Sequence, residues 1–215
     1  MLEPAMMHRH NGGRAGGAVS EAEWLSCLAA HHVLDTARER AFDRLVEMAW
    51  DFLDTSIASL SFIDRDRQWF KLESGLGIGL VPREGMRCAV AIDGDHPLLV
   101  EDLRRDPRFS NNVFVAGEPH VRAYAGAPLI IALGVRIGTI SVCDMRPRRF
   151  TDDEVARLVG FANMAVDTLV LRRDKVLAER EKVQAEMARD DLYAAVEALS
   201  DGFMLFDEED RLGLL

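Results

Sequence analysis

An α+β fold, with an antiparallel sheet and helices gathered toward the two ends of the chain, is predicted by three features of the sequence. Helix-opening pairs of the Ser/Thr-x-x-Glu type stand at Ser20–Glu23, Thr36–Glu39 and Thr151–Glu154. Two pairs of short apolar segments, each joined by a turn, lie between the second and third pairs. From Thr151 to about Asp190 nothing breaks a helical pattern.

The first signature opens a short helix with Trp24, Leu25 and Leu28 on one face. The second opens a longer one with Phe42, Leu45, Val46, Ala49, Phe52 and Leu53 at helical spacing. The period then shortens. Ile57 to Ile63 is apolar and interrupted by serines, 64–67 reads as a turn, and Gln68 to Ser74 alternates with Phe70 and Leu72 opposed to Lys71 and Glu73. That is a hairpin of half-buried strands. In the middle of the chain, Met86 to Ile92 fits a short helix or an extended piece, and Leu98 to Leu103 reads as a strand. The polar, turn-rich stretch from Asp106 to His120 has the length of a functional loop. Tyr124–Leu133 and Arg136–Asp144, joined near Gly134, form a second hairpin. Pro128 lacks a donor and belongs at a bulge or an unpaired edge position.

The third helix carries Val155, Leu158, Ala162, Ala165 and Leu169 at heptad-like spacing, continued by Val176 and Val183. Its second half, from Arg172 to Asp191, holds six basic and six acidic residues, which marks a solvated face. The pattern is read as a dimeric coiled coil with Val155, Leu158, Ala162, Ala165, Leu169 and Val176 on its seam. Beyond it, Leu192, Val196 and Leu199 suggest a small separate helix, and Phe203–Phe206 the start of a strand. The organisation expected is therefore a flexible arm over 1–19, a domain over 20–171, a helical linker over 172–191 and the start of a second, truncated domain over 192–215.

Composition narrows the function. The 215 residues are 48% hydrophobic and 29% charged, with a formal net charge of −10. Such an acidic balance argues against nucleic acid and against an anionic membrane surface as partners. Three cysteines, Cys27, Cys88 and Cys143, without a CxxC pair, suit a reducing compartment and point to neither a disulfide framework nor a structural zinc. The most apolar stretch, Ala125–Val135, is too short to cross a bilayer, and the N-terminus lacks a signal-peptide core, so a cytoplasmic location is expected. Gly75, Gly77 and Gly79 miss the dinucleotide-loop spacing, and His8 and His10 lie in the arm.

Three stretches carry a resemblance. They are 66–71 (DRQWFK), 106–109 (DPRF) with 117–129 (GEPHVRAYAGAPL), and 137–144 (IGTISVCD) running into Pro147 and Thr151. Over Ser20 to about Arg172 the chain resembles a bacterial GAF domain of a signalling protein, and 199–207 resembles the opening of a PAS domain. The first likeness implies an antiparallel sheet of about six strands with helices on one face and a pocket on the other. It also implies dimerisation through terminal helices and a regulated output, a histidine kinase or, as the alternative, a cyclic-di-GMP enzyme.

Trp69, Cys88, Asp102, His120, Arg122 and Tyr124 are the candidate pocket residues. Cys88 is followed by Ala89 and Val90 where chromophore-binding relatives carry histidine, so it reads as a packed thiol. His120, with Glu118, Arg122 and Asp102, is a candidate polar network in the loop. Trp69 and Tyr124 fit either a pocket wall or the core. No catalytic or metal-ligating set is recognised. The expectation is a non-catalytic sensory input module with a possible small-molecule ligand, without covalent chromophore or haem. It would form a homodimer and pass its signal to PAS and output domains in the same chain. A ligand-free dimerisation scaffold is the competing reading.

Overall fold

The computed structural model describes residues 20–75, 77, 80–82, 91–92, 94–131, 134–200, 205–206 and 212–213. Two units are distinguished, one ending at Leu169 and the other beginning at Val170. The first unit opens with α1 (Glu21–Ala30) and α2 (Arg40–Leu53). Strands β1 (Ile57–Ile63), β2 (Arg67–Ser74), β3 (Leu80–Pro82) and β4 (Leu98–Val100) follow. After a short helix, α3 (Val113–Ala116), come β5 (Ala123–Ile130) and β6 (Arg136–Asp144). Helix α4 (Asp152–Ser200) then runs into the second unit, where β7 (Leu205–Phe206) pairs with β8 (Leu212–Gly213). The main sheet has six strands in the order β3-β2-β1-β6-β5-β4, with antiparallel pairing throughout.

Strands β1 and β6 lie at the centre, and all seven residues of β1 are buried. Register assigns the two faces of the sheet. Ala58, Leu60 and Phe62 stand beside Val142, Ile140 and Gly138, while Ile57, Ser59 and Ser61 stand beside Cys143, Ser141 and Thr139. The first set is apolar and meets the helices. Phe62 lies against Trp69, Lys71 Nζ approaches the Trp69 and Phe42 rings, and Phe42 belongs to α2. Burying Phe42, Leu45, Val46, Ala49 and Leu53 of α2 fixes that layer, each large side chain contributing about 1.5–3 kcal/mol.

The box at Ser20–Glu23 forms as expected, with side chain and backbone exchanging hydrogen bonds. So does that at Thr151–Glu154, where Glu154 accepts from the Thr151 N–H at 2.7 Å and Thr151 Oγ1 accepts from the Glu154 N–H at 3.3 Å. The pair Thr36–Glu39 does not. Helix α2 begins at Arg40, and Glu39 caps it without a side-chain bond. Thr36 and Glu39 instead receive Lys71. Its Nζ, wholly buried, donates to Thr36 Oγ1 at 2.7 Å, to the Ala37 carbonyl at 2.6 Å and to Glu39 Oε1 at 2.7 Å. The three ammonium protons thus have three acceptors. A register shift at Leu60/Ser61 makes this possible, because it breaks the simple alternation of β2 and turns Lys71 inward together with Leu72.

The long-helix expectation holds, but its partner differs. Leu158, Ala162, Ala165 and Leu169 are buried within their own domain's core, and Val155 packs against that same core. The four buried side chains are therefore spent on the domain's own core. Val176 is half-buried, and every side chain from Leu177 to Glu197 is exposed. The small helix expected at 192–199 is the continuation of α4, which is unbroken to Ser200. The strand expected over Leu98–Leu103 ends at Val100. Pro128 pairs with Thr139 of β6 and lies past the point where β4 meets β5, at Gly126, an unpaired edge as expected. Among the described residues no helix is long and apolar enough to cross a membrane.

Replacing Lys71 with Met strands the Ala37 carbonyl and removes the buried ion pair with Glu39. The expected cost is about 2 kcal/mol, read as a lower urea midpoint with unchanged slope.

Candidate functional site

The sheet face away from the helices carries hydroxyls where a core would carry methyls. Ser59 and Ser61 alternate along β1, and Thr139 and Ser141 alternate along β6; all four are buried. Cross-strand pairing joins Ser59 Oγ to Ser141 Oγ at 3.0 Å and Ser61 Oγ to Thr139 Oγ1 at 3.3 Å. Gln68 of β2, wholly buried, extends the row by donating from Nε2 to Ser61 Oγ at 2.9 Å. Its Oε1 is buried without a hydrogen-bond partner. A stranded carbonyl of this kind costs about 1–3 kcal/mol.

Tyr124 of β5 closes one end of the row. Its cross-strand partner is Cys143, and the register puts Tyr124, Gly126 and Pro128 beside Cys143, Ser141 and Thr139. The phenol ring lies over Gly126. A Cβ placed there would stand 2.1 Å from the Tyr124 hydroxyl and 2.6 Å from Cζ, so the strand needs glycine at 126 for the ring to lie flat. Tyr124 is buried, with 1% exposure.

The other sequence candidates fall elsewhere. Trp69 is on the opposite, helix-facing side, 6.2 Å from the Phe62 ring, so it is no wall of this face. Asp102, Arg122 and His120 do not form one network. Asp102 Oδ1 accepts the Arg104 N–H at 3.1 Å and Nε at 2.9 Å, and Oδ2 accepts Nη2 at 2.7 Å. The Arg104 guanidinium holds its carboxyl down at about 2. The same Asp-x-Arg turn recurs at Asp106 and Arg108, where Asp106 is again held below the usual carboxylate range by its arginine. Arg122 Nη1 donates to the Val115 carbonyl at 2.8 Å and to the Val121 carbonyl at 3.2 Å, tying α3 to the entry of β5. His120 is half-exposed at positive φ, with its N–H on the Gly117 carbonyl and its Nε2 3.7 Å from Glu118. These residues order the connection and leave the hydroxyl row untouched. Cys88 lies outside the described residues. Among the described residues no group of three potential metal-ligating side chains is found.

Gln68, Ser59, Ser61, Thr139 and Ser141 are the site residues that the sequence reading missed. The signal was present in the serines that interrupt the apolar run at 57–63, two residues apart, mirrored by Thr139 and Ser141. Period-2 hydroxyls in two strands that are otherwise apolar mark a polar face under cover.

The fold, a six-stranded antiparallel sheet with helices packed on one face, is that of a small sensory domain. The profile of the GAF domain family matches residues 37–169, and the chain belongs to that family. Over 135 residues it is 38% identical to the cyclic di-GMP phosphodiesterase PA2567 of Pseudomonas aeruginosa. The match takes in 62% of this chain and 23% of that protein, so the chain spans less than a quarter of this relative. Among solved structures it is similar to the GAF domain of an Acinetobacter phosphoenolpyruvate-protein phosphotransferase, with a TM-score of 0.51 and 15% identity, covering 71% of this chain and 95% of the other. It is also similar to the free methionine-R-sulfoxide reductase of Neisseria meningitidis, with a TM-score of 0.52 and 16% identity, covering 77% and 99%. At these identities the structural likeness speaks for the fold.

Two outcomes follow. Gly126→Ala is expected to cost on the order of 2 kcal/mol in the wild-type background and close to nothing in Tyr124→Ala, a coupling measurable by a double-mutant cycle in urea. The Asp102–Arg104 contribution to stability belongs to a depressed carboxyl. It is present above the unfolded value of about 4 and is lost as pH falls through about 2. Asp102→Asn is therefore expected to be less stable than wild type at pH 6, by up to about 1 kcal/mol, with the gap closing toward pH 2.

Proposed function

We propose that this chain is a sensory input module of a bacterial signal-transduction protein, non-catalytic in itself, whose hydroxyl face receives a small molecule. The observation that carries the reading is the buried polar row on β1, β6 and β2, because such a row is costly to build into a core that serves only packing. Helix α4 supplies the relay. Leu158 and Leu169 are fixed in the sensory core, and the same helix continues to Ser200 with Leu171, Leu177, Val183 and Met187 exposed. A second copy of the chain covers that exposed stretch in the proposed dimer, and a shift in core packing alters the pairing. The seam so formed lies beyond Leu169, displaced from the residues that periodicity alone selects.

The output is proposed as cyclic-di-GMP turnover, supported by the 38% identity to a phosphodiesterase of that nucleotide; a histidine kinase is the second reading. A PAS domain after α4 and a cytoplasmic location complete the proposal. The paired strands at 205–206 and 212–213 suit the former, and the absence of a membrane-crossing helix among the described residues suits the latter.

Native mass spectrometry of the purified chain tests this. A dimer carrying small-molecule mass that is released on denaturation is expected. The double variant Leu177→Glu, Val183→Glu is expected to be monomeric while keeping that mass. A wild-type monomer, or a variant that stays dimeric, overturns the relay. A chain free of added mass, and unresponsive in melting temperature to a metabolite extract, overturns the sensor.

A further inference from the structure

We infer that Gln68 is the anchor of the ligand and that the ligand is an uncharged molecule presenting an N–H or O–H donor, of the amide or lactam class, to Gln68 Oε1. The inference rests on the sensory reading above and names the chemistry of its site. Three observations lead to it. First, Gln68 is wholly buried, between Ile63 of β1 and Val81 of β3, and its amide is half used: Nε2 is on Ser61 and Oε1 has no partner. Second, the rest of the row is internally satisfied. Ser59 pairs with Ser141, and Ser61 takes both Thr139 and Gln68, so the unmet acceptor is localised to one atom. Third, among the described residues the charge on this face is sparse and negative. The register places half-buried Glu73 beside Ser59, where it accepts the Gly77 N–H at 2.9 Å, and the buried cation of the sheet, Lys71, is turned to the helix side. An anion would enter a buried face that offers no counter-charge among the described residues, which costs far more than a hydrogen bond returns. A neutral donor restores the bond that Oε1 lacks. Tyr124, lying over Gly126, occupies the β5 end, which directs the ligand to the β2 end of the row.

The test uses the whole chain, labelled with nitrogen-15, and three small probes: 2-pyrrolidinone as the neutral lactam, acetate as the anion and ethylammonium as the cation. Saturable displacement of the Gln68 side-chain amide resonances by 2-pyrrolidinone is expected, with at least ten-fold weaker effects from acetate and from ethylammonium. In Gln68→Met, which keeps length and burial but removes the carbonyl, the response of the Ser61 and Thr139 backbone amides to 2-pyrrolidinone is expected to weaken at least ten-fold. The wild-type titration stands alone if that variant fails to fold. Acetate or ethylammonium binding as well as the lactam, Gln68→Met binding it unchanged, or no saturable response at all would each overturn the proposal. If the lactam fails while the purified chain still carries a releasable molecule, the sensor reading survives and the Gln68 anchor does not; if both fail, both fall.

Discussion

The central strands β1 and β6 are covered on both faces, and that constraint shapes the domain. A strand buried on one side satisfies its core with every second residue and gives the others to water. Here the second set has no water to face. Its members must be either apolar or paired among themselves, and the chain takes the second course on one face with serine, threonine and glutamine. On these two strands the helix side stays apolar, so they separate a packing surface from a hydrogen-bonding surface across the thickness of one layer. The candidate site and the glycine under Tyr124 both belong to the polar side of that division.

Much of the architecture was legible because it is written in local periodicity. The capping pairs at Ser20 and Thr151, both hairpins, the edge placement of Pro128 and the uninterrupted helix after Thr151 emerge where the sequence puts them. Periodicity is silent about which partner meets a face. The heptad-like spacing of Leu158, Ala162, Ala165 and Leu169 correctly marks a buried stripe, yet the stripe is buried by the domain itself, since a helix against its own core and a helix against a twin require the same spacing. Thr36 and Glu39 show the same limit for polar residues. Their three-residue spacing satisfies a capping box, but a buried ammonium from a strand claims both side chains.

The site was the least legible part. Attention to rare and reactive residue types picked out Trp69, Cys88, Asp102, His120, Arg122 and Tyr124, and among the described ones Tyr124 alone is placed on the polar face by the strand register. Asp102 and Arg122 are spent on turn and loop hydrogen bonds, and Trp69 faces the helices. Common residues in an uncommon setting carry the chemistry instead. A serine is unremarked in a loop and costly in a central strand, so its position, rather than its type, holds the information.

Two tethers join β2 to the connection between α1 and α2, and they differ in their access to dissolved ions. Arg67 grips Asp35 with two hydrogen bonds, at 2.9 and 2.7 Å, on a carboxylate whose side chain is 62% exposed. Lys71 holds Thr36, Ala37 and Glu39 from full burial. Salt at cellular strength screens the first and barely reaches the second. The connection is thus hinged rather than clamped: its Asp35 end loosens as ionic strength rises, while its Glu39 end stays fixed at the start of α2.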